Sequence, residues 1–317
     1  MADLNDRGQI LLIAAFTLAV AFVALALVVN SAIFTENLAS RGEVAGSSEA
    51  IAYQHQVERS VGAAIGYVNV HNESDLAGSL RDSISDLGTA GGTQQARSGT
   101  LVNVSYVNHA TGTRLADNAS GGSTFENESG DARWQLARNV DATRAFVITT
   151  EPGDIPSSGS PFRVEANESV GNVWELEVWE SGSEVVAHVN TASGDDHECR
   201  VDVSGVGEFQ IDVTGGVVAG ERCHALTRAG SGGTPMWLAN GLSASYELWF
   251  ENGDGIRGNY SMVIQGTINA THVAAGPNVG DPFHTPAVYD ATVDYVYVTP
   301  NVRYEAEIEV VPGEAGP

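Results

Sequence analysis

The chain has 317 residues and a formal net charge of −25 at pH 7, and all 15 of its basic residues are arginine. So acidic a surface offers no basic counterpart for a phosphate backbone, which excludes nucleic acid as a partner. Because molar salt shortens the Debye length to about 3 Å, dense carboxylates repel one another little there, and we interpret the composition as an adaptation to high salt. A nucleic-acid mimic or a cation store is the alternative, although the acidic residues are spread along the chain.

A long apolar stretch lies near the start of the chain. No ionisable side chain occurs between Arg7 and Glu36. About 20 apolar residues form a helix of about 30 Å, which matches the hydrocarbon thickness of a bilayer. The sequence therefore predicts a single-pass transmembrane helix over residues 9–30, preceded by a short leader or cytoplasmic segment over residues 1–8.

A helical pattern continues beyond this stretch. Apolar residues recur at a three-and-four spacing, which is typical of one buried helix face; they are Val57, Val61, Ala64, Ile65 and Val68. A second short helix is predicted from Leu76 to Leu87, ending at Gly88, with a turn at Gly91 and Gly92. We therefore predict a helical stalk and a short helix over residues 31–90.

The period changes to two in the rest of the chain. Trp174, Leu176 and Val178 alternate with glutamates, and residues 304–310 show the same alternation. Further predicted strands are Leu101–Val107, Ala145–Thr150, Glu184–Val189, Arg200–Val203, Phe209–Val213, Ser245–Phe250, Asn259–Gln265 and Thr292–Val298. We predict an α+β connecting region over residues 91–156 and a β-rich extracellular domain over residues 157–317.

These elements together predict the fold class. It is α+β, with a long N-terminal transmembrane and stalk helix followed by a mainly antiparallel, β-sandwich-like extracellular domain. Asn252–Gly255 is predicted to be a hairpin turn, because Asn and Gly accept positive φ.

The sequence contains two cysteines, Cys199 and Cys223. They can close one loop as a disulfide, and two buried free thiols are the alternative. Seven Asn-x-Ser/Thr acceptor sequences all follow the apolar stretch, which favours an exported, glycosylated C-terminal region. The candidate acceptors are Asn72, Asn103, Asn118, Asn127, Asn167, Asn259 and Asn269.

Residues that could carry chemistry form no convincing site. Asp195–Glu198 supplies metal-ligand side chains without a zinc-like partner cluster, and Asn252–Gly255 lacks the closing Glu of a calcium loop. Neither a Gly-x-Ser-x-Gly elbow nor a phosphate-binding loop with lysine is present. We predict no metal, no cofactor and no enzymatic activity. A carbohydrate-stacking surface is an alternative to core packing for Trp174, Trp179, Trp237 and Trp249.

The first residues carry a family resemblance. Arg7-Gly8-Gln9 followed by an apolar helix resembles the class III signal peptide of archaeal type IV pilins and archaellins. The resemblance implies that a prepilin peptidase cleaves between Gly8 and Gln9, and that the helix can pack against sister helices in a filament. The pattern departs from the family at Ile13, where pilins carry Glu, which favours a minor subunit.

The chain as a whole is similar to uncharacterised haloarchaeal membrane-anchored proteins found with pilin-like genes. This similarity rests on Thr35–Arg41, Tyr289–Val298 and Tyr304–Glu314. We therefore predict a non-enzymatic structural or interaction protein of the cell surface, anchored in the cell membrane as a minor pilin-like subunit. Its expected partners are the membrane, further copies or other subunits through the N-terminal helix, and pilin-like or surface-layer proteins. The alternative is a membrane-anchored envelope binding module for a glycan or a surface protein. A membrane-anchored hydrolase is a third hypothesis.

Overall fold

A computed structural model describes residues 48–71, 74–168, 171–191, 194, 196–227, 242, 244–277 and 281–312. Of these residues, 49% are strand and 21% are helix. The predicted fold class is therefore wrong, because the described chain is mainly β-sheet. Within these ranges no helix has both the length and the hydropathy that a bilayer crossing requires. The predicted membrane segment at residues 9–30 and the Gly8–Gln9 junction lie outside the described residues.

The helices are α1, helical over residues 48–71, α2 at Leu76–Ala96 and α3 at His224–Thr227. The strands are β1 Leu101–Asp117, β2 Ser123–Thr124, β3 Trp134–Thr150, β4 Phe162–Asn167, β5 Val173–Ser181, β6 Glu184–Asn190, β7 Asp196–Asp202, β8 Phe209–Asp212, β9 Val217–Val218, β10 Glu221–Arg222, β11 Tyr246–Glu251, β12 Arg257–Ile268, β13 Ala274–Ala275, β14 Phe283–Val298 and β15 Arg303–Val310.

Helix α1 lies on the sheet and does not form a free stalk. Its residues Val57, Val61 and Ile65 are buried in one cluster with α2, β1, β14 and β15. At the start of the described helix, the Tyr295 hydroxyl donates a hydrogen bond to the Ala50 carbonyl at 3.0 Å. The three-and-four spacing predicted the buried face correctly. It could not show what covers that face, because a stalk in a bundle and a helix on a sheet need the same apolar stripe.

Helix α2 continues past its predicted end at Gly88 and includes the predicted turn at Gly91 and Gly92. A Cβ atom on Gly88 would lie 2.5 Å from the Val104 carbonyl oxygen, and one on Gly92 would lie 3.0 Å from that of Val102. The glycines therefore let the helix backbone approach β1 closely. This is a tertiary reason for glycine inside a helix, and the local pattern cannot reveal it.

The described strands form one hydrogen-bonded sheet, in the order β13-β14-β1-β12-β3-β11-β4-β5-β6-β7. The sheet branches at β3. One edge of β3 pairs with β12, while its other edge pairs first with β11 and then with β8. Asn139 and Ala145 in β3 have positive φ values of 50° and 49°, and the β3 pairings shift register near both. Such bulges bend a strand and let its two halves serve different neighbours.

The larger core receives side chains from both branches and is rich in aromatic rings. The Phe250 ring contacts the rings of Phe162 and Tyr260 edge-on, with centroids 5.1 Å apart in each case. Trp174 is fully buried here, so core packing was the correct interpretation for this tryptophan. Trp237 lies outside the described residues.

The alternating patterns are confirmed. Trp174, Leu176 and Val178 are buried in β5, and Ile308 and Val310 are buried in β15. Each further strand predicted from the sequence falls on a strand of the structure. The predicted hairpin turn at Asn252–Gly255 is wrong, because in the described sheet β3 lies between β11 and β12 and pairs with both. Asn252 does have the left-handed φ, at 54°, that its residue type accepts, but the turn leads to a strand that is not the neighbour of β11. The sequence predicted a connecting region, residues 91–156, separate from a β-rich domain, residues 157–317. Strands on both sides of residue 157 belong to the same sheet.

Candidate interaction surface

One face of strands β4 to β7 and β11 is polar and forms a surface that we name the charged face. Buried apolar residues alternate with its members along β4, β5, β6 and β11, so that the opposite side of these strands faces the larger core. The charged face consists of Arg163 and Glu165 from β4, Glu175 and Glu177 from β5, His188 and Asn190 from β6, Asp196 and Glu198 from β7, and Trp249 and Glu251 from β11.

Its central row runs straight across four strands. His188 lies opposite Glu177, Glu177 opposite Arg163, and Arg163 opposite Glu251. His188 Nδ1 lies 3.1 Å from Glu177 Oε2, and its Nε2 lies 2.6 Å from Asp196 Oδ1. Arg163 Nε donates to Glu177 Oε1 at 2.7 Å, and Arg163 Nη1 lies 3.6 Å from Glu251 Oε2. Each charge in the row therefore has an opposite charge on the neighbouring strand, which is the stabilising pairing for a sheet.

The row shifts the pKa values of its members in opposite directions. Burial alone would lower the pKa of His188, but hydrogen bonds to Asp196 and Glu177 outweigh burial and raise it. Burial alone would raise the pKa of Glu177, but hydrogen bonds from Arg163 and His188 outweigh it, and the pKa is lowered. Both shifts favour the charged forms, so the row is an ion-pair network in which each group supports the next.

Glu175 has a different environment. Burial raises the pKa of its carboxyl, and the negative charge of Glu177 raises it further, against the smaller opposing effect of Arg163. It also lies directly opposite Glu165 on β4, a pairing of two like charges. Like charges at this position repel, so the charge of Glu175 is less well compensated than that of Glu177.

A cation covers Trp249 of the charged face. The Arg133 guanidinium carbon lies 4.9 Å from the centre of the Trp249 ring. Arg133 also forms an ion pair with Glu251, and its Nη2 lies 3.8 Å from Glu165 Oε2. The indole face is therefore occupied by a guanidinium, an arrangement that stabilises both groups.

A shallow groove of about 500 Å³ opens beside this pair. Its polar lining includes Glu165, Asn167, Glu175 and Asn190. The side-chain carbonyl oxygen of Asn167 is buried and accepts no hydrogen bond from the described residues. Carboxylates and amides in this arrangement can bind hydroxyl and amino groups of a ligand. In the described ranges, no three His, Cys, Asp or Glu side chains lie close enough together to hold a metal ion.

The predicted disulfide is confirmed. Cys199 in β7 is bonded to Cys223, immediately before α3, with their Cα atoms 5.5 Å apart. β7 pairs with β6 alone among the described strands, so the bond ties this outer strand of the charged face to the rest of the domain. The two cysteines allow only one intrachain pairing, which is why the sequence could name it.

The predicted site residues do not converge on one place. Asp196 and Glu198 lie on the charged face, where they contact His188 and Arg200 respectively, and Asp195 lies outside the described residues. The described acceptor asparagines lie on several elements and differ in exposure, and Asn72 lies outside the described ranges. Sequence reasoning missed Arg163, His188 and Glu251. The alternation of β5 placed Glu175 and Glu177 on one face, but only strand register shows which residues of other strands lie beside them.

Comparison with known proteins gives one similarity. A family of unknown function (DUF7261) matches residues 4–133. The match covers the apolar stretch together with α1, α2, β1 and β2, and the structure shows that β1 pairs with β12 and β14 from outside it. Comparisons with curated proteins and with solved structures find no match. The chain is thus similar to that family over its N-terminal part.

Proposed function

We propose that this chain is a non-enzymatic structural or interaction protein of the cell surface, held at the membrane by its apolar N-terminal segment and presenting the sheet outside. The observation that carries the proposal is the Cys199–Cys223 disulfide at the outer strand of the charged face. Structural disulfides persist outside the cytoplasm, where reducing systems do not act on them. The acceptor sequences beyond the apolar segment support the same location.

The charged face supports the interaction role. Its central carboxylates are engaged by Arg163 and His188, so they form a fixed polar surface with many groups in register. A rigid, charged surface of this kind gives specificity through complementary charge more than through area. We propose that it meets a partner of the cell envelope, either another surface protein or a further subunit.

Protease treatment of intact cells tests the location. Peptides from the described domain should be released by proteinase K from intact cells, while a cytoplasmic protein stays whole until the cells are lysed. Protection of the domain in intact cells and its digestion only after lysis would overturn the proposal.

The minor pilin-like assignment has its own experiment, because it depends on the residues around Gly8. Mass spectrometry of the mature N-terminus from native membranes should find a chain that begins at Gln9. A Gly8→Val variant should keep the precursor, which is longer by the leader, while an Ala2→Val variant is processed normally. A mature chain that retains the leader would contradict pilin-type processing and leave a plain membrane-anchored surface protein.

The groove at Asn167 favours a second candidate, an envelope binding module for a glycan. The Glu165 and Glu175 carboxylates that line the groove offer acceptors for sugar hydroxyls. Calorimetry with oligosaccharides prepared from the cell envelope, compared between the wild type and a Glu175→Gln variant, tests it. A heat of binding that the wild type shows and the Glu175→Gln variant lacks supports this candidate. If neither protein gives a heat of binding, the result counts against it.

A further inference from the structure

The described acceptor asparagines are not equivalent in the folded protein. Asn118 is exposed, as is Ser120, the third residue of its acceptor sequence. Both lie after the end of β1, at a tight turn in which the Gly122 amide donates a hydrogen bond to the Ala119 carbonyl at 3.0 Å. Asn118 therefore lies at an exposed turn, where a glycosyltransferase can reach both the Asn118 side chain and the Ser120 hydroxyl that it recognises.

Asn127 is the opposite case. It is only 5% exposed, and its side-chain oxygen accepts hydrogen bonds from the backbone amides of Ser129 and Asp131, each at 2.9 Å. Its side-chain nitrogen donates to Asp131 Oδ2 at 2.8 Å. Both ends of this amide are engaged in holding the loop, so the nitrogen cannot accept a sugar without breaking the loop.

Three further acceptors are half-buried. Asn167 donates from its side-chain nitrogen to Glu165 at 3.1 Å. Asn259 lies within β12 opposite Thr149, and its side-chain oxygen is buried. Asn269 accepts a hydrogen bond from the Thr271 hydroxyl at 2.6 Å, which occupies the hydroxyl of its own acceptor sequence. Each of these sites requires local opening before an enzyme can bind it.

Asn103 is exposed but lies inside β1, opposite Val296 of β14. An enzyme that binds the acceptor backbone has to release this part of the strand from the sheet, which costs the free energy of local unfolding. The cost is smaller at Asn118, because it lies beyond the end of β1, where the acceptor backbone is held by a turn and not by a neighbouring strand.

We infer that Asn118 is the preferred glycan acceptor among the described asparagines and that Asn127 carries none. In the reaction, the Asn118 side-chain nitrogen attacks the anomeric carbon of a sugar carried on a lipid phosphate. The bond from that carbon to the phosphate oxygen breaks, the lipid phosphate leaves with the electron pair, and the nitrogen loses one proton to a base of the transferase. The inference rests on the proposed export of the domain, and it selects the site by folded-state exposure.

Peptide mapping by mass spectrometry of the full chain from native membranes tests the inference. We expect glycan mass on the peptide that contains Asn118 and no added mass on the peptide that contains Asn127. A Ser120→Ala variant should lose the Asn118 glycan, while the matched Ser129→Ala variant should leave the glycan pattern unchanged. Both serines are exposed, and the hydrogen bond at Ser129 comes from its backbone, so neither change removes a core contact.

The outcomes separate this inference from the proposed function. A bare Asn118, or a glycan on Asn127, in a chain that proteinase K reaches on intact cells overturns the inference and leaves the surface location standing. A chain that is protected in intact cells overturns the proposed function as well.

Discussion

Asn69 of α1 and Val288 of β14 form a pair of hydrogen bonds that joins helix to sheet. The Asn69 side chain donates to the Val288 carbonyl at 2.8 Å and accepts from the Val288 amide at 2.7 Å. β15 pairs with β14 only from Ala291 onward. Val288 lies beyond the end of that pairing, and Asn69 provides hydrogen-bond partners for its amide and carbonyl. The side-chain amide thus replaces the next strand at this point.

Replacing Asn69 with Ala should destabilise the protein by at least about 2 kcal/mol, because the amide and carbonyl of Val288 lose their partners in a buried place. The free energy of unfolding from urea denaturation of the full chain measures this loss. Gln56→Ala, an exposed change on the same helix, is the control and should stay within about 0.5 kcal/mol of the wild type. Equal stability of the Asn69 and Gln56 variants would show that the bonds contribute nothing.

Gly88→Ala should also destabilise, since the new Cβ atom would lie 2.5 Å from the Val104 carbonyl oxygen. Overpacking of this kind costs about 1–3 kcal/mol. Gly66→Ala in α1 is the matched change, because no atom lies within 4 Å of the added methyl group there. It should stabilise the helix by roughly 0.5–1 kcal/mol. Urea denaturation measures the change in the free energy of unfolding for both variants. Changes of opposite sign would confirm the close approach of α2 and β1, and a stabilising Gly88→Ala would contradict it.

Removal of the disulfide should lower stability by about 3 kcal/mol in the chain-entropy model, given that the bonded cysteines are 24 residues apart. The variant with Cys199→Ala and Cys223→Ala tests this in thermal unfolding of the full chain. A reductant should lower the unfolding temperature of the wild type towards that of the variant and leave the variant unchanged. Alkylation without reductant should label neither cysteine, and labelling of both would contradict the bond in the native protein.

His188 should make stability depend on pH. Its folded pKa is raised above the ordinary value of 6.5 by Asp196 and Glu177, against burial. Its contribution is therefore fully present below pH 6.5 and is lost as the pH rises through the folded pKa. The difference in unfolding temperature between the wild type and His188→Gln should shrink over that window, and an NMR titration of His188 should show a midpoint above 6.5.

A double-substitution cycle provides the control for His188. In a Glu177→Gln background, His188→Gln should cost less than it does in the wild type, because one of the two carboxylates that favour the charged imidazole is gone. Equal costs in the two backgrounds, or a titration midpoint below 6.5, would contradict the network.

Stability should rise with salt, because salt screens the repulsion within a chain of net charge −25. Glu305, Glu307 and Glu309 are exposed on β15, which pairs with β14 alone among the described strands. Changing all three to Gln should raise the unfolding temperature at low salt and reduce its salt dependence. It should also increase self-association in analytical ultracentrifugation, because charged side chains protect an exposed strand edge from pairing.

Asp82→Asn combined with Asp86→Asn provides the comparison, since both aspartates are exposed on α2. The unfolding temperature of this variant should depend less on salt than that of the wild type. Its self-association should not increase. Aggregation of both variants to the same extent would mean that net charge, and not the strand edge, controls association.

The sequence by itself determined the local elements and their buried faces. The alternation at Trp174, Leu176 and Val178 and the helical spacing at Val57, Val61 and Ile65 are confirmed by burial, because each periodicity reflects the geometry of its own backbone. It also named the disulfide, since the chain has only two cysteines.

Only the tertiary structure decided how those elements meet. Gly88 and Gly92 lie inside α2 because the backbone of β1 packs close against them. α1 lies on the sheet because its apolar face packs against β14 and β15. The row from His188 to Glu251 exists because strand register brings together residues that are far apart in the chain. Periodicity gives each residue a face, but register and packing between distant segments give it neighbours.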